Sequence, residues 1–315
     1  MGQSSSRIES PLISIIIPCF NSEHFILQCI DSVLHQDYQN IEIIVVDDGS
    51  TDRSIDKLKA YSSKEQVHVL QQQNKGACTA RNRGLSVSRG KYVKFLDSDD
   101  FLEPSVITKQ VELAESLGDN TIVYGDYYLL KDDKRIYIDT SLKTNNQTEL
   151  LILQDILTTT PLHRKWMLDK IEGFDSRFKN GQEWNLHIRL SSEGFLFHHH
   201  SLPIYNYRMH QSPSRITNIK KSKKDSLLYE GKKVDMTIER LSGSCSGDPN
   251  AAFAYKYWII ARNLYRDGDS RYKNFISKAQ NISTDYQKHW KTKHKILFKF
   301  FGFESVENYY RLFKK

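Results

Sequence analysis

The feature that most constrains the fold is an alternation of short apolar runs with amphipathic segments between Leu12 and Leu130. The apolar runs are typical of strands, and the segments between them place apolar residues at helical spacing. This order predicts βαβ units and an α/β fold with a mostly parallel sheet flanked by helices, as in Rossmann-like proteins. The predicted strands are 13–17 (ended by Pro18), 41–46, 67–70, 92–96 and 121–124, and the helices between them include 24–34, 76–87 and 104–117.

The pattern changes after Leu130. Two extended segments, 127–130 and 135–138, flank a charged turn and predict a hairpin. Further along, helices are predicted over 162–171 and 182–192, and an extended segment over 196–207. Beyond Ser212 the chain is basic and helical in outline.

Polar residues cluster where the predicted strands end, which is where open parallel sheets bind ligands. Asp47 and Asp48 follow the second strand, and Asp97, Asp99 and Asp100 follow the fourth. Five carboxylates at neighbouring strand ends would repel one another unless a divalent cation or ligand N–H groups shared the site. Oxygen ligands of this kind suit Mg²⁺ or Mn²⁺.

In order along the chain, these segments resemble the motifs of glycosyltransferase family 2, whose members have the GT-A fold. The resemblance is carried by Ile17-Pro18-Cys19-Phe20-Asn21, by Val46 through Asp52, by Asn74-x-Gly76 with Arg81-Asn82-x-Gly84, and by Asp97-Ser98-Asp99. Each motif alone is weak, but four in order at strand ends are specific. The resemblance extends to about residue 214.

The resemblance implies a metal-dependent inverting glycosyltransferase that moves a sugar from a nucleotide-sugar, with UDP-sugar favoured, to an acceptor hydroxyl in polysaccharide or glycolipid assembly. It implies that Asp99 holds Mn²⁺ or Mg²⁺ and that Asp48 accepts the imide N–H of the base. Lys75 and Arg81 would meet the nucleotide or its phosphates. The full implied nucleotide-sugar site is Pro18, Phe20, Asp47, Asp48, Lys75, Arg81, Asp97 and Ser98.

The same resemblance implies a general base at Glu183, because the family has a carboxylate at this helix start. The usual segment is Glu-Asp-x-Asp-Leu, whereas this chain has Gln182-Glu183-Trp184-Asn185-Leu186. These departures leave open an alternative, a catalytically idle relative that binds nucleotide-sugar or membrane as a scaffold. His210 is implied as a second metal ligand. The tract His198–His200 is not expected to bind metal, because neighbouring strand residues point to opposite faces.

The expected organisation is a flexible leader (1–10), a catalytic domain (11–217, with a nucleotide-sugar half 11–126 and an acceptor half 127–217) and a basic helical region (218–315). Between Lys220 and Lys315 there are 21 Lys and Arg against 10 Asp and Glu, whereas the whole chain has a net charge of +7. Two interpretations of this region remain open: contact with an anionic membrane surface, or packing of its aromatic residues onto the catalytic domain.

No apolar run approaches the roughly 20 residues that span a bilayer, so an integral membrane protein is not expected. The expected location is cytoplasmic, with peripheral contact at the inner face of the membrane under the first of those two interpretations. The expected partners are a nucleotide-sugar donor and a carbohydrate or lipid-linked sugar acceptor, and not nucleic acid. The four cysteines are far apart and form no CxxC pair, so we expect buried or idle thiols.

Overall fold

The computed structural model describes residues 10–132, 134–142, 146–210, 222–241, 245 and 247–313. Residues 1–9 of the predicted leader and the predicted boundary after residue 217 lie outside the described residues. The chain divides into two compact units. The first comprises Met1–Leu142, Ile156–Leu186 and Phe195–Asn218, and the second comprises Lys143–Asp155, His187–Gly194 and Ile219–Lys315.

The strands of the described residues all belong to the first unit. They are β1 (Ile13–Cys19), β2 (Ile41–Asp47), β3 (Val67–Gln71), β4 (Tyr92–Phe95), β5 (Phe101–Leu102), β6 (Thr121–Lys131), β7 (Lys134–Ile138), β8 (His163–Arg164) and β9 (Leu196–Arg208). They form a five-stranded sheet in the order β3-β2-β1-β4-β8 and a four-stranded sheet in the order β5-β9-β6-β7.

The helices lie between these strands along the chain and after the last of them. They are α1 (Ile26–Leu34), α2 (Ser54–Leu58, followed by the 3₁₀ turn Lys59–Tyr61), α3 (Ala77–Val87), α4 (Val106–Ser116), α5 (Gln147–Leu153), α6 (Lys165–Lys170), α7 (Gln182–Ser192), α8 (Lys223–Ile238), α9 (Pro249–Arg266), α10 (Tyr272–Ile282) and α11 (Thr292–Phe313). The predicted helix over 182–192 is confirmed residue for residue.

The centre of the five-stranded sheet is parallel, as predicted. β1 pairs in parallel with β2 on one side and with β4 on the other, and every residue of these three strands is buried. Runs of Ile and Val suit this position because helices cover both faces of the sheet. Gly84 lets α3 lie directly on β1, since a Cβ there would stand 2.4 Å from Cγ2 of Ile16.

The prediction that Pro18 ends the first strand is wrong, because β1 continues to Cys19 and Pro18 pairs with Val46. The ladder between β1 and β4 stops at Ile16 and Phe95. Pro18 therefore lies beyond that ladder, where its missing N–H removes no bond to β4.

The second sheet differs from the prediction in its long strands. The predicted strand 121–124 and the first hairpin strand form one continuous strand, β6, which pairs with β7 and, in parallel, with β9. The hairpin itself is confirmed. The predicted helix over 162–171 is shorter, because His163 and Arg164 instead pair antiparallel with β4 and the helix begins at Lys165.

The second unit is helical and has its own buried core. Phe253, Tyr257 and Trp258 of α9 are buried, and Trp258 packs on Trp290 with ring centroids 4.4 Å apart. Glu307 is 1% exposed and lies among Arg262, Arg266 and His294. In the described part of the chain, no helix combines the length and apolarity needed to cross a membrane.

The cysteines of the first unit are free thiols in its interior. Cys19, Cys29 and Cys78 are buried, whereas Cys245 in the second unit is half-buried. Burial, together with the charge of Asp47, raises the pKa of Cys19 to about 12. The expectation of buried thiols is met at three of the four positions.

Candidate active site

The sheet order brings the predicted strand ends together at one edge. β1 lies between β2 and β4, so the residues after Cys19, Asp47 and Phe95 are neighbours. Two hydrogen bonds extend the ladders past the strands: the Asp48 N–H donates to the Cys19 carbonyl (2.8 Å), and the Leu96 N–H donates to the Ile16 carbonyl (3.0 Å). The acidic segments after β2 and β4 therefore flank the end of β1.

Asp48 holds the loop between β3 and α3. Its Oδ1 accepts from the backbone N–H of Lys75 (2.8 Å) and from Nε2 of Gln72 (2.7 Å), and its Oδ2 accepts from the backbone N–H of Gly76 (2.8 Å). Asp48 is 3% exposed. A carboxylate oxygen has two lone pairs, so Oδ2 keeps one acceptor position for a ligand N–H. Lys75 is exposed and enters this arrangement through its backbone.

Asp47 is also buried and has an acceptor to spare. Its Oδ2 accepts from the N–H of Ser50 (3.2 Å), while its Oδ1 has no hydrogen-bond partner among the described residues. A buried carboxylate oxygen without a donor is costly, by about 1–3 kcal/mol or more. A ligand or water that donates a hydrogen bond would remove this cost.

The loop after β1 is tied to the loop after β2. The Asn21 N–H donates to Oγ of Ser50 (3.0 Å), and the Asn21 side-chain oxygen accepts from the Thr51 N–H (2.8 Å). Asn21 has a positive φ of 51°, which Asn tolerates better than most residues. Pro18 is buried in β1 and Phe20 is half-buried in this loop, so both stand at the edge where the sequence analysis placed the base pocket.

Three residues after β4 are each held by a different part of the first unit. Asp97 forms an ion pair with Arg81 (2.6 Å), and Oγ of Ser98 is 2.7 Å from Oγ of Ser22. Oδ2 of Asp99 is 2.9 Å from Nε2 of His210. The two predicted metal ligands are therefore adjacent, although 111 residues separate them.

Asp99 and His210 fit a divalent cation. A carboxylate oxygen and an imidazole nitrogen this close together can both ligate a divalent cation. Their side chains are 25% and 15% exposed, so a ligand can reach them. The His210 ring packs on Phe25, with centroids 4.6 Å apart, which restricts the imidazole orientation. Phe25 was not singled out in the sequence, where it read as one apolar position of a helix.

Arg81 does not lie open to the nucleotide as the sequence suggested. It is 5% exposed; Nη2 bonds Asp97 (2.6 Å) and Nη1 bonds Oε1 of Gln182 (2.5 Å). Burial by itself lowers the pKa of Arg81, but the adjacent Asp97 outweighs it and the pKa is raised overall, with Glu183 adding to the rise. Arg81 is thus a buried cation between the β4 end and the start of α7.

Glu183 is half-buried in the first turn of α7. An acidic residue in the first turn is favoured by the helix dipole. The segment before α7 is fixed to α3: the side chain of Asn82 donates to the Phe174 carbonyl (2.7 Å) and accepts from the Phe174 N–H (2.8 Å). Spacing along the chain did not reveal this support, because the partners are 92 residues apart.

A second acidic cluster is formed by β6, β9 and the residue that follows β7. Ligand atoms of Asp126, Asp139 and His199 all lie within 4.8 Å of one another and could hold a metal ion. Asp126 is fully buried and already accepts from Tyr137, Thr140 and His199. Only His199 of the His198–His200 tract belongs to this cluster.

The comparison with protein families gives a match over half of the chain. The family model described as Glycosyl transferase family 2 matches residues 14–172. Chondroitin synthase of Pasteurella multocida is 30% identical over 224 residues, which cover 68% of this chain and 22% of that protein. EpsJ of Bacillus subtilis, an uncharacterized glycosyltransferase, is 39% identical over 43% of this chain and 39% of that protein. The chain thus spans less than half the length of these curated relatives.

Solved structures include chains with the same architecture. The crystal structure of S. aureus TarS 1-349 in complex with UDP-GlcNAc matches with a TM-score of 0.72 at 17% identity, covering 96% of this chain and 92% of that chain. A second crystal structure of S. aureus TarS 1-349 matches with a TM-score of 0.70. The likeness shows a shared fold, and the predicted GT-A fold class is confirmed.

Proposed function

Because the chain belongs to glycosyl transferase family 2, we propose that it transfers a sugar from a nucleotide-sugar to an acceptor hydroxyl with inversion at the anomeric carbon. The observation that supports this proposal is the link through Arg81, which joins Gln182, the residue before Glu183, to Asp97 at the β4 end. A base and a donor-holding group at one site are what a single displacement requires.

Glu183 is assigned as the general base. The acceptor oxygen attacks the anomeric carbon, the bond from that carbon to the diphosphate oxygen breaks, and the hydroxyl proton passes to a Glu183 carboxylate oxygen. Asp48, through its remaining lone pair, is assigned to the imide N–H of a uracil base, and Asp47 Oδ1 supplies a second free acceptor in the same pocket. Pro18 and Phe20 are assigned to the pocket wall.

Asp99 and His210 would hold Mn²⁺ or Mg²⁺, and Asp97 and Ser98 lie beside them. When bound, the cation would neutralise charge that develops on the departing diphosphate. The UDP-sugar assignment is supported by the TarS crystal structure, whose ligand is UDP-GlcNAc. Polysaccharide or glycolipid assembly is supported by the similarity to chondroitin synthase and to the hyaluronan synthase of Pasteurella multocida, 30% identical over 68% of this chain.

Donor binding and turnover test the proposal. Purified protein is incubated with UDP-, GDP- and dTDP-sugars, with Mn²⁺ or with EDTA, and binding, hydrolysis and transfer are measured. We expect one UDP-sugar to bind and to be slowly hydrolysed in the presence of Mn²⁺. The Asp99→Asn variant should lose this binding, whereas the exposed control Asp56→Asn should keep it.

Two results would contradict the proposal. Failure of every donor to bind to folded protein would remove the nucleotide-sugar assignment. Tight donor binding without hydrolysis, and without transfer to any glycan or lipid-linked acceptor, would favour the scaffold alternative suggested by Gln182 and Asn185.

A further inference from the structure

Arg81 was expected at the nucleotide, but its surroundings suit a different task. Its guanidinium is buried against the Phe174 ring, with Cζ 5.2 Å from the centroid. The two terminal nitrogens are bonded to Asp97 and to Gln182. Because the side chain is 5% exposed and both terminal nitrogens already have partners, Arg81 is not open to a ligand phosphate.

Gln182 is suited to this place because an amide is both acceptor and donor. Its Oε1 accepts from Arg81 at 2.5 Å, while its Nε2 faces the carbonyl oxygens of Phe178 (3.4 Å) and Lys179 (3.5 Å). A carboxylate would keep the bond to Arg81 but would turn an oxygen toward two carbonyl oxygens. Gln182 is 6% exposed, so water offers little relief from that repulsion.

The rest of α3 fixes the same segment. Asn82 holds both backbone groups of Phe174, and Sγ of Cys78 lies 3.6 Å from the Phe178 carbonyl oxygen. Gly173 (φ 62°) permits this approach, since a Cβ there would lie 2.5 Å from Oδ1 of Asn82. α3 therefore fixes this segment through Cys78, Arg81 and Asn82, and Arg81 also reaches the β4 end.

We propose that Arg81 and Gln182 are positioning residues that set the distance between the donor-holding end of β4 and the base Glu183. Asp97 anchors one end of the link, and Gln182, the immediate neighbour of Glu183, forms the other. The inference rests on the proposed function, because it takes Glu183 as the base. Correct placement of reacting groups is worth this support, since an error of about 1 Å can cost roughly 100-fold in rate.

The test uses Gln182→Met, which keeps the length of the side chain and removes its polar atoms. We expect kcat to fall about 10- to 100-fold, while the Kd for UDP with Mn²⁺ stays within about twofold of wild type. Gln182→Glu keeps the acceptor for Arg81 and should have an intermediate kcat. The control Gln287→Met makes the same chemical change in the second unit and should leave kcat unchanged.

Two further measurements separate the outcomes. Hydrogen exchange without ligand should be faster at residues 182–186 in Gln182→Met than in wild type, which tests the link without turnover. The Arg81→Lys/Gln182→Met double variant should lose little more kcat than Arg81→Lys alone. Wild-type kcat in Gln182→Met, or equal losses of kcat and UDP affinity, would overturn the inference. If the exchange difference is found but the wild type transfers no sugar, the result would count against the proposed function and not against the link.

Discussion

The carboxylates of the strand-end site and those of the helical unit have opposite surroundings. Glu307 in the second unit is 1% exposed and has two arginines and a histidine within 3.2 Å. Glu149 likewise bonds Lys288 (2.8 Å) and the Asp248 N–H (2.9 Å). At the strand ends, by contrast, Asp47 and Asp48 accept from neutral N–H groups, and Asp47 keeps an unbonded oxygen.

This difference distinguishes carboxylates that are neutralised within the protein from carboxylates that could be neutralised by a ligand. A buried carboxylate with several cations around it is fully compensated by the protein itself and serves stability. A group of carboxylates with one guanidinium and one imidazole close by carries excess negative charge, which is relieved when a cation or a ligand N–H enters. Substitutions in the two regions should therefore affect different measurements.

The largest effect is expected for Glu183→Gln. Glutamine keeps the size of the side chain but cannot accept the hydroxyl proton, so kcat should fall about 10²- to 10⁴-fold. UDP affinity and the urea unfolding midpoint should stay near wild type. Full transfer activity in this variant, assayed with the donor that wild type uses, would show that another group is the base.

Next in size is Glu307→Gln. Removing one partner of a buried ion network leaves arginines without a counter-charge, and the free energy of unfolding of the helical unit should fall by about 3–5 kcal/mol. Urea unfolding followed by tryptophan fluorescence measures this, because Trp258 and Trp290 lie in that unit. The contrast between the regions fails if Glu307→Gln unfolds at the wild-type midpoint.

A smaller effect is expected for Asp99→Asn, which should weaken Mn²⁺ binding without lowering stability. Loss of a group that only hydrogen-bonds a metal ligand typically lowers metal affinity about 10- to 100-fold. Because Asp99 is assigned as a ligand itself, the Mn²⁺ affinity should fall by at least this much. The urea midpoint of the variant should be no lower than that of wild type, because one of several neighbouring negative charges is gone. Calorimetric titration with Mn²⁺ and UDP measures the first quantity. A strongly lowered midpoint would place Asp99 with the structural carboxylates.

The smallest effect per pH unit concerns a buried amine. Lys94 on β4 is 0% exposed and bonds Oε1 of Gln110 (2.9 Å), and burial holds its pKa well below the ordinary value. The unfolded chain then binds a proton that the folded chain lacks, so the Lys94 contribution to wild-type stability should rise from pH 7 toward pH 8, below the range in which the buried thiols, whose pKa is raised, contribute with the opposite sign. The slope is at most about 1.4 kcal/mol per pH unit. Lys94→Met should remove that slope, and equal slopes in both proteins would show that Lys94 stays charged when folded.

The parts of the fold that local sequence determines were predictable. Runs such as Ile13–Ile17 can only be strands buried on both faces, and the polar residues that follow them must then meet at one edge. The bounds of α7 were predicted as well, although its apolar residues, Trp184, Leu186, Ile188 and Leu190, alternate as they would in a strand. β8 was not predictable, since His163 and Arg164 become a strand only by pairing with β4.

The same limit applies to the candidate site. The positions of Asp48, Asp99 and Glu183 follow from strand ends and from a helix start. The direction in which Arg81 points does not, because it depends on Asp97, 16 residues away, and on Gln182, 101 residues away. His199 and Asp126 likewise meet only through the pairing of β6 with β9. Contacts across the fold decide which polar residues face a ligand and which support one another.

The buried thiols allow local unfolding of the protein to be measured by chemical labelling. Because Cys19, Cys29 and Cys78 are buried near the strand ends and α3, a thiol reagent can modify them only in molecules where this region has opened. Cys245 is half-buried and should react before the other three. The slow phases of labelling would then measure how often the region at the strand ends opens, and a ligand that binds there would lengthen them.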